Sequence, residues 1–88
     1  MIKLLLVEDD ETIVKHLSLI LKQEGYLVYN ADGQRKAMDI VESEDIDIAL
    51  LDLSLNQGHG FALYSEIKNY KNMPIIFLTA SFKFYSGW

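Results

Sequence analysis

The chain has 88 residues and a formal net charge of −5; 50% of its residues are apolar and 24% are charged. This length and composition indicate one small globular domain. Its eight basic residues are scattered, which argues against direct binding to DNA or to an anionic membrane surface. The sequence contains no cysteine and no apolar segment long enough to span a bilayer. We therefore expect a soluble cytoplasmic protein.

The first predicted elements are a buried strand and an amphipathic helix. Ile2–Val7 is a nearly continuous apolar run, as in a strand that is covered on both faces. Asp10–Thr12 predicts a helix start, because acidic residues stabilise the positive end of a helix. Gly25 predicts its end. The apolar residues between them recur at helical spacing: Ile13, Leu17, Ile20 and Leu21.

A second strand, a second helix and a third strand follow. Tyr26–Tyr29 predicts the strand, and Asn30–Gly33 predicts a turn. Three apolar residues mark the weaker second helix: Ala37, Met38 and Val41. Ile46–Leu51 predicts the third strand, which places Asp52 at its carboxyl end.

The remaining elements are a loop, a third helix and a fourth strand. Leu53–Gly60 predicts a loop, and Phe61–Tyr70 predicts a helix. One side of this helix is expected to contain Phe61, Tyr64, Ile67 and Lys68 and to be its apolar side. Ile75–Leu78 predicts the fourth strand, which leads directly to Thr79.

Strands that alternate with helices predict an α/β fold with a parallel sheet, here an incomplete (βα)₃β unit. Three helices cannot cover both faces of four strands evenly, so we expect one poorly covered face and an unpaired edge at the fourth strand. The aromatic residues of segment 82–88 are expected to cover part of the exposed core. We also expect a homodimer or a higher assembly that buries the rest.

Reactive side chains follow three of the predicted strands. Glu8, Asp9 and Asp10 follow the first strand, Asp52 follows the third and Thr79 follows the fourth. Ligands bind beyond the carboxyl ends of parallel strands, and converging carboxylates favour Mg²⁺. Asp52 could then act as a nucleophile that forms an acyl phosphate. Each acidic cluster, taken alone, is also consistent with helix caps and solvated loops.

Together, the stretches "KLLLVEDDETI", "DIALLDLSLNQGHGF" and "PIIFLTA" resemble the receiver domain of two-component response regulators over Met1 to about Ser81. The resemblance implies a flavodoxin-like, doubly wound sheet of order 2-1-3-4. It implies that Asp52 accepts phosphate from a histidine kinase or phosphotransfer protein, which is signalling rather than enzymatic turnover. It further implies that Glu8, Asp9, Asp52 and the Ser54 carbonyl bind Mg²⁺, while the Thr79 hydroxyl and Ala80 contact the phosphoryl group.

The sequence departs from the family pattern at two places. Asn56 replaces the usual proline after LDLSL, and segment 82–88 does not resemble the helix, fifth strand and fifth helix that follow the fourth strand in the family. We therefore interpret residues 1–88 as a receiver domain truncated after the fourth strand. The family lysine of the fifth strand has no counterpart, because Lys83 lies just four residues after Thr79.

Two alternative functions remain open at this stage. A phosphorylation-incompetent, receiver-like interaction module is consistent with the absent lysine. A Mg²⁺-dependent phosphohydrolase with an aspartyl nucleophile fits less well, because such enzymes use a second acid where this sequence has Ser54.

Overall fold

The computed structural model describes residues 1–53, 60–78 and 84–86. In this part of the chain, strands and helices alternate up to a short final strand. The elements are β1 (Lys3–Val7), α1 (Glu11–Gln23), β2 (Leu27–Ala31), α2 (Gln34–Ser43), β3 (Ile48–Asp52), α3 (Gly60–Tyr70), β4 (Ile75–Leu78) and β5 (Phe84–Ser86).

The sheet has the order β2-β1-β3-β4-β5. The first four strands are parallel, so the predicted order 2-1-3-4 is confirmed. β5 pairs with β4 in the antiparallel direction, with Phe84 opposite Leu78. The edge of β4 is therefore paired within the chain, and our prediction of an unpaired edge was wrong.

One face of the sheet is covered by α2 and α3. Alternate residues of β1, such as Leu5 and Val7, point into this layer because successive side chains of a strand point to opposite faces. Buried residues of both helices pack on the same face: Ala37, Met38 and Val41 from α2, and Leu63 and Ile67 from α3. The buried members of this core are Leu5, Val7, Ala31, Ala37, Met38, Val41, Ile46, Ala49, Leu51, Leu63, Ile67, Met73 and Ile75.

The opposite face is smaller and is covered by α1. Its buried residues are Leu4, Leu6, Leu50 and Leu78. From α1, Val14, Leu17 and Leu21 pack against them, yet α1 contributes no fully buried residue. Among the described residues, this face therefore has the thinner cover, as three helices on four strands predict.

The termini of α1 follow from local chemistry. At the N-terminus, the carboxylate of Asp10 accepts hydrogen bonds from the backbone N–H groups of Thr12 and Ile13, at 2.9 and 3.3 Å. At the C-terminus, Gly25 has a φ of +95°, a left-handed conformation that strains residues with a Cβ. Both ends agree with the predicted start and end of the helix.

Two boundaries differ from the sequence-based expectation. β2 extends through Asn30 and Ala31, which we predicted to be in a turn. The Asn30 side-chain amide donates to the Leu6 carbonyl at 2.9 Å, so a polar residue is accommodated in the strand. On α3, Leu63 and Ile67 are buried, whereas Phe61 is 67% exposed. The buried side of α3 is thus rotated away from Phe61, which instead contacts the ring of Phe77.

In the described part of the chain, no helix combines the length and apolar character that a bilayer crossing requires.

Candidate functional site

The acidic residues predicted from the sequence meet at the carboxyl ends of β1 and β3. Glu8 and Asp9 follow the last residue of β1, and Asp52 is the last residue of β3. Because β1 and β3 are parallel neighbours, their carboxyl ends lie at the same edge of the sheet. Carboxylate oxygens of Glu8, Asp9 and Asp52 all lie within 4.8 Å of one another.

Backbone hydrogen bonds fix the two segments that present these acids. The backbone N–H of Glu8 donates to the carbonyl of Ala31 at 3.0 Å, which joins the end of β1 to β2. The backbone N–H of Leu53 donates to the carbonyl of Leu78 at 3.1 Å, which joins the residue after Asp52 to β4. The acidic cluster is therefore supported on both sides by neighbouring strands.

Glu8 is the most perturbed acid in the cluster. Its side chain is 4% exposed. The pKa of Glu8 is raised to about 7, mainly by burial and in addition by the neighbouring carboxyl groups of Asp52 and Asp9. The backbone N–H of Asp10 opposes this shift. The Asp10 N–H donates to Glu8 Oε2 at 3.0 Å. Near neutral pH, Glu8 is therefore divided between its neutral and ionised forms.

Asp10 has a different role from its two neighbours. Its carboxylate oxygen is occupied by the backbone N–H groups at the start of α1. It thus caps a helix, and it is not a member of the cluster formed by Glu8, Asp9 and Asp52. Its position next to Asp9 in the sequence made it a weak candidate ligand, and the structure explains it as an N-cap.

The donor set fits a divalent cation with a preference for oxygen ligands. Three carboxylates at this separation repel one another unless a proton or a cation lies between them. Two of them, Glu8 and Asp52, are also largely removed from water, with exposures of 4% and 5%. Hard carboxylate oxygens with space for water are the ligands that Mg²⁺ prefers. The cluster could therefore hold Mg²⁺.

The remaining predicted site residues, Ser54, Thr79 and Ala80, lie outside the described residues. Lys83 lies there as well. Their described neighbours in the sequence are close to one another. The backbone of Leu53 is hydrogen-bonded to β4, and Asp52 is opposite Leu78, the residue that precedes Thr79.

Asn30 is a neighbour of the site that the sequence did not indicate. We predicted it to lie in a turn, but its side-chain amide donates from β2 to the carbonyl of Leu6, two residues before Glu8. Asn30 also lines an open groove beside α1, together with Glu8 and Asp9. The sequence offered one indication of this role, a single polar residue at the end of an apolar strand, and this pattern alone does not distinguish a site residue from a turn residue.

The model of the response regulator receiver domain family matches residues 4–84. The chain belongs to this family. The resemblance found in the three sequence motifs is thereby confirmed, as is the α/β flavodoxin-like fold. A receiver domain is a signalling domain rather than a classical enzyme.

Solved receiver domains are similar to this chain in sequence and in fold. The non-phosphorylated HemR receiver domain from Leptospira biflexa is 36% identical with a TM-score of 0.85, and the match covers 91% of this chain and 65% of that one. A CheY-like receiver protein from Methanospirillum hungatei JF-1 is 29% identical with a TM-score of 0.86, covering 90% and 64%. This receiver domain thus spans slightly less than two thirds of the length of either structure.

A third match comes from the structure of histidine kinase ThkA in complex with response regulator protein TrrA. It is 31% identical with a TM-score of 0.84, and the match covers 91% of this chain and 70% of that one.

Proposed function

We propose that this receiver domain accepts a phosphoryl group on Asp52 from a histidine kinase or a phosphotransfer protein. The observation that carries the proposal is the convergence of Glu8, Asp9 and Asp52, whose carboxylate oxygens lie within 4.8 Å of one another. In the transfer, the N–P bond of a phosphohistidine breaks and an O–P bond to Asp52 forms, while the bonding electrons leave with the imidazole nitrogen. The similarity to a chain of a kinase–regulator complex supports a kinase as the donor.

Each residue of the site has a proposed role. Glu8, Asp9 and Asp52 hold Mg²⁺, with the Ser54 carbonyl as a further ligand. When bound, Mg²⁺ supplies positive charge that stabilises a phosphoryl group during transfer. The Thr79 hydroxyl and the backbone of Ala80 receive a phosphoryl oxygen. The roles of Ser54, Thr79 and Ala80 are inferred from membership of the family, and these residues lie outside the described part of the chain.

The charge arrangement supports Asp52 as the acceptor rather than Glu8. Asp52 is at the end of the central strand β3, which lies between β4 and β1, the strand that leads to Glu8 and Asp9. Glu8, by contrast, has one carboxylate oxygen engaged by the backbone N–H of Asp10 at 3.0 Å. A ligand role suits Glu8, and a nucleophilic role suits Asp52.

We further propose that the domain associates with a second copy through the face that α1 covers. The helix α1 contains no fully buried residue, and two of its large apolar side chains, Leu19 and Ile20, are 59% and 54% exposed. Burying part of this apolar surface in a dimer would stabilise the chain.

Incubation with a small acyl-phosphate donor and Mg²⁺, followed by intact mass measurement, tests the phosphoacceptor function. We expect a mass gain of one phosphoryl group in the native chain and no gain in Asp52→Asn, which keeps the size of the side chain but lacks its nucleophilic oxygen. Binding of Mg²⁺ without any phosphorylation would reject this function in favour of an interaction module.

A further inference from the structure

Asn30 interrupts the apolar face of β2 that packs beneath α1. Its side chain is half-buried and points to the same face as Val28, because alternate residues of a strand share a face. Val28 packs against the small core that α1 covers. Asparagine is uncommon inside strands, and a polar group removed from water costs free energy unless it is hydrogen-bonded. A polar side chain at this position therefore indicates a role beyond packing.

The amide of Asn30 holds together the end of the β1–β2 ladder. The last two register pairs of this ladder are Leu6–Asn30 and Val7–Ala31. The amide nitrogen donates to the carbonyl of Leu6 at 2.9 Å and lies 3.5 Å from the carbonyl of Ala31. The carbonyl of Ala31 in turn accepts the backbone N–H of Glu8 at 3.0 Å. One side chain thus contacts backbone atoms of both strands at the point where Glu8 leaves β1.

This junction supports one half of the acidic cluster. Glu8 and Asp9 are the first residues after β1, at a strand end, where backbone hydrogen bonds open most easily. Asp52 lies on β3, and the residue after it is hydrogen-bonded to β4 rather than to β2. Displacement of the end of β1 would therefore move Glu8 and Asp9 relative to Asp52 and separate carboxylate oxygens that lie within 4.8 Å of one another.

We infer that Asn30 is a positioning residue, whose amide holds the end of β1 so that Glu8 and Asp9 can bind one cation together with Asp52. The inference rests on the proposed function, because it takes Mg²⁺ as the cation that these carboxylates bind. Asn30 acts through the backbone of β1 and β2, since its amide contacts backbone carbonyls rather than the carboxylates of the cluster. Loss of the amide should thus weaken metal binding without removing any ligand.

The Mg²⁺ affinity of two variants with unchanged net charge tests the inference. Asn30→Leu removes the amide and keeps a side chain of similar size. Val28→Ala, on the same face of β2, removes an apolar contact with the core and leaves the amide in place. We expect isothermal titration calorimetry to show affinity about tenfold weaker in Asn30→Leu and changed less than about twofold in Val28→Ala. Asn30→Ala removes the same amide without adding apolar volume, should weaken binding equally, and replaces Asn30→Leu if leucine disturbs folding.

Amide hydrogen exchange gives a second measurement, which does not involve the metal. In the metal-free chain, we expect the amide of Glu8 to exchange about tenfold faster in Asn30→Leu than in the native chain, while the amide of Leu5, in the middle of β1, changes less than about twofold. In Val28→Ala the two amides should change by the same factor, because a general loss of stability exposes both.

The rate of Asp52 phosphorylation separates this inference from the proposed function. At Mg²⁺ concentrations that saturate each chain, an acyl-phosphate donor should modify Asn30→Leu at a rate within about twofold of the native rate, because Asp52 does not depend on the Asn30 amide. A native chain that binds Mg²⁺ but takes no phosphate would reject the proposed function, whereas the role of Asn30 would still be decided by the Mg²⁺ affinities.

Four results would overturn the inference. They are an unchanged Mg²⁺ affinity in Asn30→Leu, an equal loss of affinity in Val28→Ala, equal acceleration of Glu8 and Leu5 exchange in Asn30→Leu, and a loss of phosphorylation rate that saturating Mg²⁺ does not restore. The last two would assign Asn30 a role in the general stability of the chain or in the position of Asp52.

Discussion

Carboxylate oxygens of Glu8 and Asp52, two acids presented by neighbouring strands, lie within 4.8 Å of each other. Two carboxyl groups this close favour a state in which one of them holds a proton. Burial and this contact together raise the pKa of Glu8 to about 7. Below about pH 7, a proton on Glu8 therefore competes with the cation that we propose, and this competition has measurable consequences.

The first prediction concerns the pH dependence of Mg²⁺ binding. A ligand carboxyl group must lose its proton to bind a metal, so Glu8 should bind Mg²⁺ mainly above its pKa of about 7. We expect affinity about tenfold weaker at pH 6 than at pH 8, as measured by isothermal titration calorimetry. Glu8→Gln should weaken binding at both pH values and remove most of the difference. An affinity of the native chain that is equal at the two pH values would contradict this role of Glu8.

The second prediction concerns stability without metal. Because the pKa of Glu8 is raised from 4.5 to about 7, the folded chain binds more protons than the unfolded chain between these values. The free energy of unfolding should therefore fall as the pH rises from 4.5 to 7, by up to about 3 kcal/mol from this group. The free energy of unfolding of the native chain and of Glu8→Gln can be measured with urea at each pH. The difference between the two chains isolates the contribution of Glu8, because the other acids titrate in both. A difference between the two chains that does not change over this range would count against the raised pKa.

The third prediction separates Asp10 from the acidic cluster. Its carboxylate caps α1 through the N–H groups of Thr12 and Ile13. Asp10→Ala should lower the free energy of unfolding by about 1 kcal/mol, whereas Asp10→Asn should retain most of the stability because asparagine is an equally good cap. Mg²⁺ affinity should change less than about twofold in both variants. A tenfold loss of affinity in Asp10→Asn would instead make Asp10 a ligand.

The fourth prediction concerns self-association. Ile20 on α1 is 54% exposed, and we place it in a contact between two copies of the chain. Sedimentation velocity over a range of concentrations should show dimers of the native chain and mainly monomers of Ile20→Glu. Gln23→Glu, in the last turn of the same helix, adds the same charge at an exposed polar position and should still dimerise. A native chain that is monomeric at micromolar concentration would reject the dimer.

Local patterns were sufficient to predict most of the fold. Ile75–Leu78 is a strand with the predicted bounds because Pro74 and an uninterrupted apolar run delimit it. Asp10 and Gly25 mark the ends of α1, since both the cap and the left-handed turn depend on neighbouring residues. β5 could not be predicted in the same way, because its formation depends on pairing with β4 rather than on its own three residues.

The candidate site was predicted in part for a similar reason. Strand order brings Glu8, Asp9 and Asp52 together. The alternation of strands and helices predicts a parallel sheet, whereas the order of its strands was implied by the family resemblance. The raised pKa of Glu8 depends on distances and burial that sequence spacing does not contain. The amide of Asn30 was also missed, because a polar residue at a strand end is equally typical of a turn.

Localisation of the phosphoryl group after incubation with an acyl-phosphate donor tests the central claim most directly. Reduction of the acyl phosphate with borohydride, followed by peptide mass spectrometry, identifies the modified residue. The phosphoacceptor account predicts modification at Asp52 that requires Mg²⁺, is weakened in Glu8→Gln and is absent in Asp52→Asn. A phosphoryl group on another residue, or none at Asp52 when Mg²⁺ is bound, would contradict it.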